Sequence, residues 1–355
     1  MDKFRIDSHK LMFHPARVSD WLKGENIYPI YAEMSPSGAC NHRCVYCALD
    51  FMEYKPRFLD TQMLKTRLTE LAGLGLKSVM FAGEGEPFLH RDMPQIAVHA
   101  KDSGIDVSFT TNAALFFPEK ADICLEKTAW LKVSINAGTP KTYAAMHRTK
   151  EEDFNIVLRN MEYAAKLKAK RGLSCTLGMQ MILLPDNAAE AETLAKTAKA
   201  AGMSYLVIKP YSQHPLSKTN KYKSVKYTEY AELAEKLRGY NTKDFSVIFR
   251  LNTMHKWDEA DKPYKRCLAL PFWTYIDAGG NVWGCSMFLG DERMRYGNIN
   301  ETPFREIWEG EKRKKSLAYV ADCLDAGKCR LNCRMDEINR YLWELKNPSE
   351  HVNFI

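Results

Sequence analysis

Short apolar runs alternate with longer stretches in which apolar residues recur every three or four positions, and this alternation fills residues 31 to 211. The short runs predict strands over residues 30–33, 78–82, 106–110, 130–135, 177–183 and 205–208. Between them, stretches such as 60–72 and 155–168 carry the helical period. Strand–helix alternation of this kind predicts parallel β/α units. Six units are too few to close an eightfold barrel, so the expected fold is α/β, a partial (β/α)6 TIM-like barrel. A small α+β domain is expected at the C-terminal end.

The pattern changes after Tyr211. A polar stretch over 212–227 leads into a helical pattern near 228–237. Residues 273–285 then read as a hairpin, with Gly279, Gly280 and Asn281 suited to its turn. This places an N-terminal extension at 1–30, the barrel at 31–235 and the C-terminal domain at 236–355. The chain has no apolar run of the ~20 residues that a membrane helix requires. Its polar start carries no signal-peptide core, so a soluble, cytoplasmic protein is expected. The net charge of +7 is spread along the chain. Its densest cluster, residues 311–315, reads as a solvated helix face, which gives little support for nucleic-acid binding.

Eight of the ten cysteines fall in two tight groups, while Cys124 and Cys175 stand apart and read as small buried hydrophobes. Clustered cysteines in a cytosolic chain point to metal rather than disulfides. The first group, Cys40, Cys44 and Cys47, is a C-x3-C-x2-C motif just after the first strand. Three thiolates on one loop can hold an iron–sulfur cluster and leave one iron short of a protein ligand. A structural zinc site would close four ligands, and His42 could be counted as a fourth, though its place inside the loop is awkward. Spacing alone leaves both metals open.

The motif, with the aromatic Tyr46 before its last cysteine, resembles the signature of the radical S-adenosylmethionine (SAM) superfamily. The resemblance implies a [4Fe-4S] cluster on Cys40, Cys44 and Cys47 that chelates SAM and cleaves it to a 5′-deoxyadenosyl radical. It also implies an external one-electron reductant of the flavodoxin or ferredoxin type. Residues 81–87 are similar to the family's Gly-Gly-Glu-Pro segment, with Gly85 and Glu86 kept and Glu84 standing where a glycine often falls. By the same resemblance Tyr46, Gly85, Glu86, Thr111, Asn112, Ser134, Asn136 and Gln180 are expected around SAM. Most of them sit at strand ends, where barrel enzymes gather their functional groups. The polar run after the sixth strand makes Lys209, Tyr211 and His214 candidates for substrate contact, and Arg250 is a further one.

The second group, Cys267, Cys285, Cys323, Cys329 and Cys333, resembles the SPASM/twitch extension that carries auxiliary clusters. Val320 stands where the two-cluster version has a cysteine, and no cysteine follows Cys333. One auxiliary [4Fe-4S] cluster is therefore expected, on Cys267, Cys285 and Cys333 with either Cys323 or Cys329, although four thiolates could hold zinc equally well. Full ligation favours electron transfer over substrate binding. Single-cluster relatives include dehydrogenases of aminocyclitol antibiotics, so the resemblance implies an oxidoreductase of a small polar metabolite, a sugar, cyclitol or nucleoside. The alternative is peptide maturation, by epimerisation or thioether formation. Against it, only about 30 residues precede the first strand, too few for the peptide-recognition domain of such enzymes.

Overall fold

A computed structural model describes residues 3–259 and 262–354. Its centre is one ten-stranded sheet: β1 (Tyr31–Met34), β2 (Ser78–Phe81), β3 (Asp106–Thr111), β4 (Thr128–Ser134), β5 (Thr176–Ile182), β6 (Tyr205–Lys209), β7 (Ser246–Phe249), β8 (Trp273–Ile276), β9 (Asn281–Trp283) and β10 (Arg295–Asn298). The order is β10-β9-β8-β1-β2-β3-β4-β5-β6-β7. Strands β1 to β7 run parallel, as the strand–helix alternation requires. The sheet stays open, in keeping with a partial barrel.

Two features extend the expected six units. Strand β7 pairs in parallel with β6, so the barrel sheet runs on to Phe249. Strand β8 pairs in parallel with β1 on the opposite edge, and the hairpin β8–β9 continues the same sheet. The C-terminal cysteine domain is thus joined to the barrel through backbone hydrogen bonds. Gly280, at φ +84°, makes the hairpin turn that the sequence suggested. The buried carboxylate of Asp277 organises that turn, accepting from the amides of Gly279 and Asn281 and from Trp283 Nε1.

The helices follow from their ends as well as their period. Glu151–Arg171 opens on Glu151, Glu152 and Asp153, closes on Lys168, Lys170 and Arg171, and stops at left-handed Gly172. Thr61–Gly73 is capped by Asp60, whose carboxylate accepts from the amide of Met63. Cys124 and Cys175 pack in the main core, as small hydrophobes do. The basic stretch 311–315 is exposed except at Arg313, which is a correction to a wholly solvated face. Arg313 is buried over the Trp308 ring at 3.9 Å and donates to Asn26 Oδ1.

On β4 and β6, alternate residues face helices and bore. Leu131, Val133, Leu206 and Ile208 join the main core, which turns Lys132, Ser134, Val207 and Lys209 to the barrel interior. Tyr205, Val207 and Ile248 form the floor of that interior with Phe4 and Ile6 of the N-terminal segment. Among the described residues, no helix is long and apolar enough to cross a membrane.

Candidate active site

Cys40, Cys44 and Cys47 lie on the loop after β1, at the carboxyl end of the parallel sheet. The next loop braces it. A side chain on Gly85 would stand 2.2 Å from Ala39 O and 2.3 Å from Ser37 O, so only glycine lets the two backbones meet. The amide of Glu86 then donates to Ala39 O at 2.8 Å. The buried Glu86 carboxylate turns towards β3, accepting from Thr111 Oγ1 (2.5 Å) and the amide of Asn112 (2.8 Å). Asn112 in turn donates to Asn41 Oδ1 at 2.7 Å, inside the cysteine loop. Gly85, Glu86, Thr111 and Asn112 therefore form one network under the three thiols.

A second network holds the other side. Asn136 sits in the left-handed region at φ +53°, which asparagine tolerates, and is fully buried. Its Nδ2 donates to Tyr46 Oη at 2.6 Å, and its Oδ1 accepts the amide of Ile182. Tyr46 packs with Met146, Leu184, Tyr211 and Tyr222. Gln180 Nε2 lies 3.5 Å from Ser134 Oγ on the neighbouring strand.

His147 was missed in the sequence. It lies at the end of the helix Pro140–His147, with Nδ1 3.2 Å from Cys44 Sγ and Nε2 2.9 Å from Ile135 O. A carbonyl only accepts, so Nε2 carries the hydrogen and Nδ1 faces the sulfur. Burial keeps the imidazole neutral, its pKa lowered to about 3. No sequence signal marks His147, because nearly a hundred residues separate it from the motif. His42, the residue that spacing suggested, turns away from the thiols towards Asp153 and the Tyr143 ring.

Glu84 is not a stray substitution for glycine. Its buried carboxylate accepts from Arg57 at 2.8 Å and from the amide of Ala278 at 2.7 Å, clamping the barrel to the hairpin turn. Burial outweighs both bonds and raises its pKa.

In the C-terminal domain Cys267, Cys285, Cys329 and Cys333 line one cavity, among Leu270, Trp273, Met294 and Val320. Cys323 is exposed and does not line it. Three of the sulfurs accept hydrogen bonds: Cys285 from the amide of Met287, Cys333 from that of Met335, and Cys267 from Asn339 Nδ2. The loop after β6 bridges the two groups. Ser217 Oγ donates to Cys47 O (3.4 Å), while His214 stacks on Phe51 and reaches Ser286 O (3.4 Å).

The other candidates separate. Lys209 faces the bore, Tyr211 is buried beside Tyr46, and His214 is buried between the cysteine groups. Arg250 is held by Asp7 of the N-terminal segment at 3.1 Å.

The donor chemistry fits clustered metal. Burial pushes the thiols of Cys40 and Cys267 up to about 12, and it raises those of Cys44, Cys47, Cys285 and Cys329. Sulfurs so placed become thiolates beside strong positive charge, which a bound metal centre supplies. Among the described residues, no three His, Cys, Asp or Glu side chains are grouped as ligands of a single metal ion.

Residues 34–198 match the radical SAM superfamily and residues 267–334 match SPASM, an iron–sulfur cluster-binding domain. The chain is 24% identical over 231 residues to the GTP 3′,8-cyclase of Chlorobaculum tepidum, a match covering 61% of this chain and 66% of that protein. It is 24% identical over 308 residues to the AdoMet-dependent heme synthase of Methanosarcina barkeri, covering 82% and 85%. The matches to the first three curated relatives span 66%, 43% and 43% of their lengths. Streptococcus suis SuiB bound to S-adenosylmethionine shares the fold, with a TM-score of 0.62 at 19% identity, over 85% of this chain and 70% of SuiB. The first domain implies a [4Fe-4S] cluster with SAM, and the second implies auxiliary iron–sulfur ligation. The chain belongs to the radical SAM superfamily of enzymes and carries a C-terminal SPASM domain.

Proposed function

We propose that the chain is a radical SAM oxidoreductase of a small polar metabolite, with Cys40, Cys44 and Cys47 holding the SAM-binding cluster and Cys267, Cys285, Cys329 and Cys333 a single auxiliary one. When bound, these groups supply one electron to split SAM into methionine and a hydrogen-abstracting 5′-deoxyadenosyl radical, and an acceptor for the electron that the substrate radical sheds together with a proton. The chain's own residues orient and enclose. Glu86, Thr111 and Asn112 fix the cysteine loop from one side, and Asn136, Tyr46 and His147 fix it from the other. The floor of Tyr205, Val207 and Ile248 closes the bore against water. Lys209 is the candidate that faces the substrate from β6.

The observation that supports this reading best is the loop after β6, which touches the backbone of both cysteine groups and leaves the bore between them. Four sulfurs around one cavity favour a closed, electron-accepting site over a second open one.

Anaerobically reconstituted protein given dithionite and SAM should produce 5′-deoxyadenosine, and should carry about eight iron atoms per chain, four for each [4Fe-4S] cluster. Zinc in place of iron, or no cleavage of SAM, would sink the reading. With substrate, one oxidised small molecule is expected per 5′-deoxyadenosine; an altered peptide instead would replace the substrate class while leaving the radical chemistry.

A further inference from the structure

The bore above the Tyr205 floor is lined by basic side chains. Lys132 faces it from β4 and Lys209 from β6. The Lys209 ammonium has no hydrogen-bond or ion-pair partner among the described residues, and that of Lys132 meets only the Trp130 ring, 5.5 Å from its Nζ. Arg330, between Cys329 and Cys333, has a buried Nε without a hydrogen-bond partner. Two further arginines reach the same space but are neutralised: Arg334 pairs with Glu33 of β1, and Arg250 pairs with Asp7. Three basic side chains are left without an ion-pair partner among the described residues.

That excess is costly in a folded protein. A buried charge without a counter-ion loses its hydration and gains nothing in return. Burial lowers the Lys132 pKa to about 7, helped by the charges of Arg334 and Arg250 and only partly opposed by that of Glu33, which Arg334 engages. Lys209 is pushed well below the ordinary lysine value, first by burial and then by Lys132, Arg250, Arg334 and Arg330. Core packing does not explain them, since methionine or leucine would fill the same volume without this cost. Across from Lys132, β5 carries Gly178, and the Tyr205 ring fills the place of its missing side chain, 2.2 Å from where a Cβ would stand, so the floor lies at the Lys132 level. Gln180 and Ser134, on the next level towards the cysteines, add neutral hydrogen-bonding groups.

We propose that the barrel bore binds the anionic end of the substrate, a phosphate or a pair of carboxylates, through Lys132, Lys209 and Arg330. This rests on the function proposed above and names its substrate class as a polyanionic small molecule. The anion takes the place of the missing counter-charge and anchors the molecule deep in the bore. The C–H bond to be broken then points up towards the cysteine loop. Arg330, between Cys329 and Cys333 in the chain, ties the anchor to the C-terminal domain.

The test is a calorimetric titration of reconstituted holoenzyme, saturated with SAM, with pyrophosphate in one arm and citrate in the other. Binding of at least one is expected, and the tighter arm tells phosphate from carboxylate recognition. Lys132→Met and Lys209→Met should each weaken it by at least about tenfold, while Lys218→Met, at the surface beside Glu53, should not. Should a variant fail to fold, acetylation of wild-type Lys132 and Lys209 by an N-hydroxysuccinimide ester must be slowed by the bound anion. Absence of binding, binding indifferent to both lysines, unprotected lysines, or a loss of SAM affinity in place of anion affinity would each overturn the proposal. Because these readouts need no turnover, they stand apart from 5′-deoxyadenosine formation, whose failure would instead remove the radical reading.

Discussion

The two cysteine groups use the same side chain to opposite ends. The first presents three thiols on one short loop at the carboxyl end of a parallel sheet, ringed by polar strand ends. The second draws four thiols from segments far apart in the chain around an apolar cavity. A local triad leaves a coordination position for a ligand, whereas a closed set of four stores or passes electrons. The surroundings agree with this division. Buried carboxylate and amide networks fix the first loop, while backbone and asparagine N–H groups point at the sulfurs of the second. Donors of that kind stabilise the reduced, more negative state of a cluster.

The largest way to break the comparison is to remove one thiol from the open set. Cys44→Ala should abolish SAM cleavage, by at least about a hundredfold in 5′-deoxyadenosine yield, because a cluster held by two thiolates is lost or misplaced. The iron of the second group, about four atoms per chain, should remain. Retained cleavage in this variant would show that the loop does not hold the SAM-binding cluster.

The second group is tested by an unequal pair. Cys329→Ala should lose about four iron atoms and the substrate oxidation, whereas Cys323→Ala should match the parent protein in both. Iron analysis and electron paramagnetic resonance of the reduced proteins separate them. The reverse result would move the fourth ligand out of the cavity to the exposed cysteine.

These experiments also mark where the sequence was readable. The first six strands of the barrel were legible within a residue or two, because each is an apolar run bounded by a helical period, whereas β7 lay beyond the expected six units. The cysteine triad was legible because its chemistry is local. The choice between Cys323 and Cys329 was not, since six residues apart on an irregular segment either could turn inward. Glu84 read as a departure from a glycine motif, and its purpose appears only when Ala278 folds against it from the far end of the chain. The basic lining of the bore was only half legible: Lys209 stood out in the polar run after β6, whereas Lys132 and Arg330 are unremarkable in sequence and join it only through sheet register and the covering loop.

A smaller effect tests the seam between the two regions. Glu84→Gln keeps an acceptor for the amide of Ala278 but removes the charge that faces Arg57. Arg57 is partly exposed, so the loss is modest, about 1–2 kcal/mol. A lowered denaturation midpoint, with both clusters retained, is expected. A destabilisation confined to one domain would show that the clamp does not couple them.

The smallest expected effect concerns His214, buried between the two cysteine groups. Burial, aided by the charge of Arg330, lowers its pKa from the usual 6.5 to about 4. The unfolded chain therefore takes up a proton at a pH where the folded one does not. The stability this confers on the neutral form is complete above pH 6.5 and is lost as pH falls towards 4. Between pH 7 and pH 5 the loss from this residue is about 1 kcal/mol, after allowance for partial solvent screening. His214→Gln, which stays neutral, should flatten the pH dependence of the denaturation midpoint by that amount. An unchanged slope would mean that His214 is protonated in place and that the seam is wetter than its burial indicates.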